Sequence, residues 1–289
     1  MKNFFFYTLL ISGVFVNAQT QQNINKNSGT VSNSINTIDS IRFTGSSSIM
    51  EVVLQNGTIE SHSISDILNV NFIAANQDSC DATNVFNPNL SYGSMTDQEG
   101  NVYKTIVIGT QEWMAENLKT SIYRNGEAID ITGTSFTTGA WSLNNDSQYD
   151  CPYGKLYNWY AVVDSRNVCP TGWNVPTDAE WTTLTDYLGG QSDENYNFFA
   201  GGKMKSTGFQ YWLNPNTAAT NESGFSGLPA GIRIFDGSYS SLGNNGFWWS
   251  CSELDTYSGW GLLLDYNFGY SYRLNNDKAS GFSVRCLKD

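Results

Sequence analysis

Histidine occurs once in this 289-residue chain, proline six times, and lysine plus arginine 15 times against 27 acidic residues. The lone histidine, His62, is far in sequence from the motif-rich part described below, so Ser-His-Asp and Cys-His catalysis have no base there. The basic deficit gives a formal charge of −12. Such a chain repels phosphate backbones and anionic bilayers, and no cluster of lysine or arginine offsets it, so neither nucleic acid nor an anionic membrane is an expected partner. No CxxC occurs among the five cysteines, whose spacings are 71, 18, 82 and 35 residues, and zinc or thioredoxin-type sites lose their usual signature. Neither G-x-S-x-G, HExxH, a P-loop nor GxGxxG is present.

What is there begins with a leader. Residues 1–18 place one lysine before an uncharged apolar run from Phe4 to Val16 and end on Val16-Asn17-Ala18, the layout of a secretory signal peptide. The run is too short for a membrane span, and no later stretch is long and apolar enough for insertion. Removing Lys2 with the leader leaves 14 basic against 27 acidic residues, a formal −13. The expected location is extracellular or periplasmic, where five cysteines point to disulfides.

Residues 19–37 are polar and read as a disordered lead-in. Residues 38–75 read as a small β element, because Asn56-Gly57 sits between the β-rich runs Met50–Leu54 and Thr58–Ser61, a strong hairpin signal. It is similar to short segments that precede larger modules in secreted proteins of the Bacteroidota. Residues 76–92 lack periodicity and read as a linker, which leaves 93–289 as one unit. Nine Trp, sixteen Tyr, sixteen Phe and 27 Gly favour short strands and glycine turns packed on aromatics over long helical bundles. Turn residues 97–101 and the β-branched run Val102–Ile108 predict a two-stranded start.

The stretch "CPTGWNVPTDAEW", Cys169–Trp181, contains a helix start. Thr177 is a good N-cap, Glu180 completes a capping box, and Pro176 and Trp181 occupy staple positions. Trp181, Leu184 and Leu188 repeat at helical spacing before Gly189-Gly190. Asp178 and Glu180 therefore read as cap and dipole acids rather than as catalysts.

Six ordered blocks carry a family resemblance: "TDQEGNVYKTIVIGTQEWMAENLK", "YGKLYNWYAVVDSRNVCPTGWNVPTDAEWTTLTDYLGG", "AGGKMKSTG", "NESGFSGLPAG", "FWWSCSE" and "GFSVRCLKD". In this order they resemble the Fibrobacter succinogenes major paralogous domain over roughly residues 93–289, a secreted bacterial module without an activity to carry over. The "GF-S-VRC" and "W-W-S" blocks look like the C-type lectin-like architecture shared with formylglycine-generating-enzyme-type domains. The resemblance implies an α+β fold with two helices, short antiparallel strands and adjacent termini. It also implies a bond between Cys169 and Cys286. Two cysteines outside the family pattern, Cys151 and Cys251, invite a second bond, which leaves Cys80 unpaired or joined to another chain. Asn174 stands where the family usually has histidine. The copper-binding cysteines of formylglycine-generating enzymes have no counterpart here, so oxidase activity does not carry over.

Binding therefore outranks catalysis in the reading, with a secreted non-enzymatic module recognising a glycan or polysaccharide as the leading expectation. Trp260, Tyr266, Tyr270 and Tyr272 are the candidate stacking residues, with Asn276 and Asp277 as hydroxyl partners; period-2 aromatics also fit the buried face of a strand. At least one of Trp248 and Trp249 is expected in the core. Asn275, Asn276 and Asp277 offer hard oxygens of the kind calcium prefers, although such a run also makes an ordinary polar turn; no other cofactor is implied. The sugar-binding Glu-Pro-Asn triplet of C-type lectins is absent, and Asn214-Pro215-Asn216 is only a faint echo. The alternatives are a structural or protein-interaction module that pairs with a cell-surface protein by strand addition, and a carboxylate-pair glycoside hydrolase.

Overall fold

Backbone groups need ladder partners whether the side chains are polar or apolar, and the described N-terminal residues find them in six strands. The computed structural model describes residues 20–26, 29–34, 38–44, 49–54, 59–63, 65, 67–74, 85–130, 138–189, 196, 197 and 199–289. They divide into two units, Met1–Gln77 and Asp78–Asp289. The leader, the Asn56-Gly57 turn and Cys80 lie outside the described residues.

In the first unit β1 (Thr20–Lys26) pairs with β2 (Gly29–Ser34). Next, β3 (Ile38–Thr44), β4 (Ile49–Leu54) and β5 (Ile59–Ser63) form an antiparallel meander. Finally β6 (Ile67–Ala74) returns to β1, giving the order β2-β1-β6. Two expectations change. The polar lead-in of residues 19–37 supplies β1 and β2, because β1 has a ladder partner on each side. The 38–75 element is not a lone hairpin, since its last strand joins the other sheet.

The second unit starts before residue 93. Val85 is buried, and the Asn221 side chain donates to its carbonyl at 2.9 Å, which ties the latter part of the expected linker into the unit. Three strands rather than two open it: β7 (Gly93–Thr96), β8 (Val102–Ile108) and β9 (Gln111–Met114). Short strands β10 (Ala140–Trp141) and β11 (Leu156–Asn158), helices α1 (Asp150–Tyr153) and α2 (Trp159–Val162), and β12 (Trp173–Asn174) follow. The long helix α3 (Asp178–Gly189) comes next, then β13 (Tyr196–Asn197), α4 (Ala200–Met204), β14 (Ile232–Arg233) and β15 (Tyr239–Ser240). A meander of β16 (Asn245–Glu253), β17 (Ser258–Asp265) and β18 (Ser271–Asp277) precedes β19 (Gly281–Phe282) and β20 (Leu287–Lys288). The sheets read β12-β20-β9-β8-β7, β10-β11-β19-β14-β15 and β13-β18-β17-β16, all antiparallel, so the unit is α+β and sheet-rich.

Two apolar clusters flank the β16–β18 sheet, as alternating strand residues require. Trp248, Leu262 and Leu264 join Trp181, Leu184 and Leu188 of α3 on one side, while Trp249 and Leu274 join Tyr157 and Phe282 on the other. Trp248 and Trp249 are both fully buried. The outer edge of β16 is covered, because Trp249 and Cys251 donate their amides to Ser283 and Pro176.

The sequence blocks turn out to be framework. Arg285 is fully buried and stacks 4.2 Å from the Phe225 ring centroid. Its guanidinium donates to the Asn117 side chain at 2.8 Å and to the carbonyls of Met114, Phe225 and Ser226. One cation thereby joins "MAEN", "GFSG" and "VRC". A buried charge is tolerated only when its donors are matched, and here four of the five N–H groups have acceptors. Arg124 does the same for the opening of the helix block, donating to the carbonyls of Cys169, Pro170 and Trp173.

Cys169 and Cys286 are bonded across 117 residues, tying the segment before α3 to the last strand. The second expected bond is corrected. Cys251 is a free thiol whose side chain packs against the Trp249 cluster, so Cys151, although disulfide-bonded, is not joined to it.

Candidate functional site

The N-terminus of α3 forms the expected capping box. The Thr177 hydroxyl accepts from the Glu180 amide at 3.2 Å, and the Thr177 amide donates to the Glu180 carboxylate at 2.7 Å. With its start fixed, the helix turns Trp181, Leu184, Thr185 and Leu188 inward. Tyr187 falls at the border of that stripe and is 66 % exposed.

Beside it lies an open depression of about 370 Å3. Its floor is apolar: Ile106 and Ile108 of β8 and Leu188 of α3 are core residues, and Leu90 packs against them. Leu90 is placed by a local net in which Asn87 donates its side-chain amide to the Asn221 carbonyl and its backbone amide to the Tyr92 hydroxyl. The wall is the Tyr187 ring. Gly109 has φ +63°, and a Cβ built there would lie 3.0–3.3 Å from three atoms of that ring. The ring is therefore backed by glycine on one side and open to solvent elsewhere. At the rim Lys203, near the end of α4, pairs with Glu222 at 2.9 Å, and the Ser223 hydroxyl donates to the Lys203 carbonyl at 2.8 Å.

Chemically this is an amphipathic cradle: an aromatic face, an apolar floor, and a matched ammonium and carboxylate with a hydroxyl beside them. Vicinal hydroxyls of a sugar ring can accept from Lys203 and donate to Glu222 while the ring stacks on Tyr187. An anion finds no unpaired cation in it, because Lys203 is engaged by Glu222.

The residues singled out in the sequence fall elsewhere and do not share one site. Trp260 lies beneath the Arg273 guanidinium, 3.4 Å from the ring centroid, and Arg273 is held by Asp178 through contacts of 2.7–2.9 Å. Asp178 is thus a salt-bridge partner as well as a first-turn acid. Tyr266, six residues further on and about 20 Å away along the extended chain, packs on the Trp248 side, whereas Tyr272 packs on the Trp249 side. Tyr270 stacks on Phe268 at 4.7 Å. The proposed calcium donors also separate. Asn275 is opposite Trp260 and Asn276 opposite Gly259, so strand alternation puts Asn275 and Asp277 on one face and Asn276 on the other. The Asp277 carboxylate accepts from the Ala279 amide, and Asn216 spends its side-chain amide on the carbonyls of Ser206 and Gly208. His62 lies on β5 in the first unit, opposite Met50.

Sequence reasoning missed Tyr187, Lys203 and Glu222. An aromatic at the border of an amphipathic stripe was the one available signal; the Lys203–Glu222 pair, joined only by folding, had none. The family model for the Fibrobacter succinogenes major domain matches residues 106–288. No curated protein and no solved structure matches the chain.

Proposed function

The chain belongs to the Fibrobacter succinogenes major domain family, and from the cradle beside Tyr187 we propose that it is a secreted, non-enzymatic module that binds a neutral glycan at the cell exterior. The observation carrying this reading is the Tyr187 ring, backed by Gly109 and 66 % exposed above an apolar floor with a Lys–Glu pair at its rim. The formal charge of −12 disfavours anionic polysaccharides. A C-type lectin-like arrangement is supported by the placement of the final strand β20 between β12 and β9, and by the Cys169–Cys286 bond. Export is supported by the leader-like residues 1–18 and by disulfide bonding.

The test is retention of the mature chain, residues 19–289, on a glycan and polysaccharide array with calcium and again with chelator. Neutral glycans should be bound, chelator should make no difference, and Tyr187→Ala should weaken the signal clearly while leaving the unfolding midpoint unchanged. A blank array with folded protein, or full retention by Tyr187→Ala, would overturn the assignment. The first result would favour attachment to a protein partner instead.

A further inference from the structure

Three tyrosines that share no residue with the Tyr187 cradle meet on another part of the second unit. Tyr149 precedes the short helix α1 and Tyr153 ends it, with ring centroids 6.3 Å apart. Tyr211, from the loop after α4, meets Tyr153 edge-on at 5.8 Å and 84°. All three are half-buried. Tyr149 and Tyr153 rest on the buried cluster of Leu143, Leu156 and Ala230, which fixes the floor. Beside Tyr211, Phe209 and Leu213 are 64 % and 53 % exposed.

The rings also carry polar ends that sense one another electrostatically. Burial first, and then the neighbouring hydroxyls of Tyr211 and Tyr149, push the Tyr153 phenol up to about 12, so it stays neutral. Tyr211 accepts from the Gln210 side chain at 3.0 Å. The hydroxyls of Tyr149 and Tyr153 make no hydrogen bond to any described residue. Beside them Lys155 pairs with Asp150 at 2.5 Å. Aromatic rings at an angle to one another, with hydroxyls that both donate and accept, match a polyol.

We propose that Tyr149, Tyr153 and Tyr211 form a second saccharide-binding face, which contacts a sugar ring by stacking and by phenol-to-hydroxyl bonds. The proposal takes its ligand class from the glycan reading above, but its residues are separate. Two faces on one unit make a polymer a better ligand than a single sugar, because the second contact is intramolecular once the first has formed.

The experiment uses the mature chain labelled with 15N-tyrosine and titrated with methyl glucosides, galactosides and mannosides. The Tyr149, Tyr153 and Tyr211 amides should shift together along one saturation curve, and Tyr187 along its own. Tyr211→Ala should weaken the first curve about tenfold, the loss of one stacking contact, without moving the second. Tyr187→Ala should do the reverse. Shifts at Tyr187 alone would overturn this proposal and keep the cradle; shifts at the cluster alone would overturn the cradle and keep this proposal. Silence at both, or cluster shifts unchanged in Tyr211→Ala, would also overturn it.

Discussion

Replacing Asn117 by alanine should be among the most damaging single changes in the second unit. Its side-chain oxygen accepts from the Trp248 indole at 2.9 Å and from the Arg285 guanidinium at 2.8 Å; its amide donates to the Tyr153 carbonyl at 2.8 Å and the Ser283 hydroxyl at 3.2 Å. The residue is 3 % exposed, so water cannot replace these bonds without opening the core. Alanine strands two buried donors, one of them on a cation, at about 1–3 kcal/mol each, and leaves a small void. The expected loss is about 4 kcal/mol, a large part of the 5–15 kcal/mol that holds a typical domain folded. All nine tryptophans lie at or beyond position 113, so tryptophan fluorescence during urea unfolding reports the second unit alone. With a slope of about 2.5 kcal/mol/M the midpoint should fall by about 1.5 M. Asn117→Asp keeps an acceptor for both donors and should lose less. A fall below about 1 kcal/mol for Asn117→Ala would refute the claim that the sequence blocks encode a single buried network.

Other consequences are equally direct. Thr177→Ala removes half of the capping box and should lower stability by about 1 kcal/mol in the same urea assay. Reducing the Cys169–Cys286 bond should cost about 4–5 kcal/mol in the chain-entropy model for a 117-residue loop; non-reducing peptide mapping should find this pair, with Cys251 alkylated in the unfolded chain without reductant. Burial pushes the Lys205 ammonium down to about 8, so between pH 8 and 10.5 the unfolded chain binds more protons at this site, and the site's contribution to stability grows as pH rises through that window. The 13Cε shift of Lys205 should titrate near 8, and a midpoint at 10 or above would show that its three carbonyl partners outweigh burial.

Much of the second unit was legible because its signals are local. The β-branched run at Val102–Ile108 became β8, and Thr177 with Glu180 became the cap of α3. The short helix α4 was not legible in the same way. Gly201 and Gly202 are poor helix formers, and tertiary packing overrides that preference. Gly201 lies so close to the Tyr270 carbonyl that a Cβ would clash, and Gly202 lies as close to Ala218. The β1–β2 pair escaped notice because composition says nothing about a partner strand 40 residues away, such as β6. Pairing Cys151 with Cys251 by elimination failed for a related reason, since distance in the fold decides which thiols can meet.

The site was harder to read because this chain uses its rare charges for shape. Lys278 is buried and donates to the carbonyls of Asp255 and Thr256 and to Glu253, pinning the turn between β16 and β17 that presents Tyr257 at 78 % exposure. Lys205 donates to the carbonyls of Thr217, Asp265 and Phe268, pinning the turn at the other end of β17 that presents Phe268. Each ammonium has an acceptor for all three of its N–H donors. Both hold an exposed aromatic on a turn that has already lost its freedom, which lowers the ordering cost of any contact made there. The same division runs through the unit. Arg124, Arg285, Lys205 and Lys278 spend their donors on the framework, and the glycan reading proposed above rests instead on exposed rings such as Tyr187.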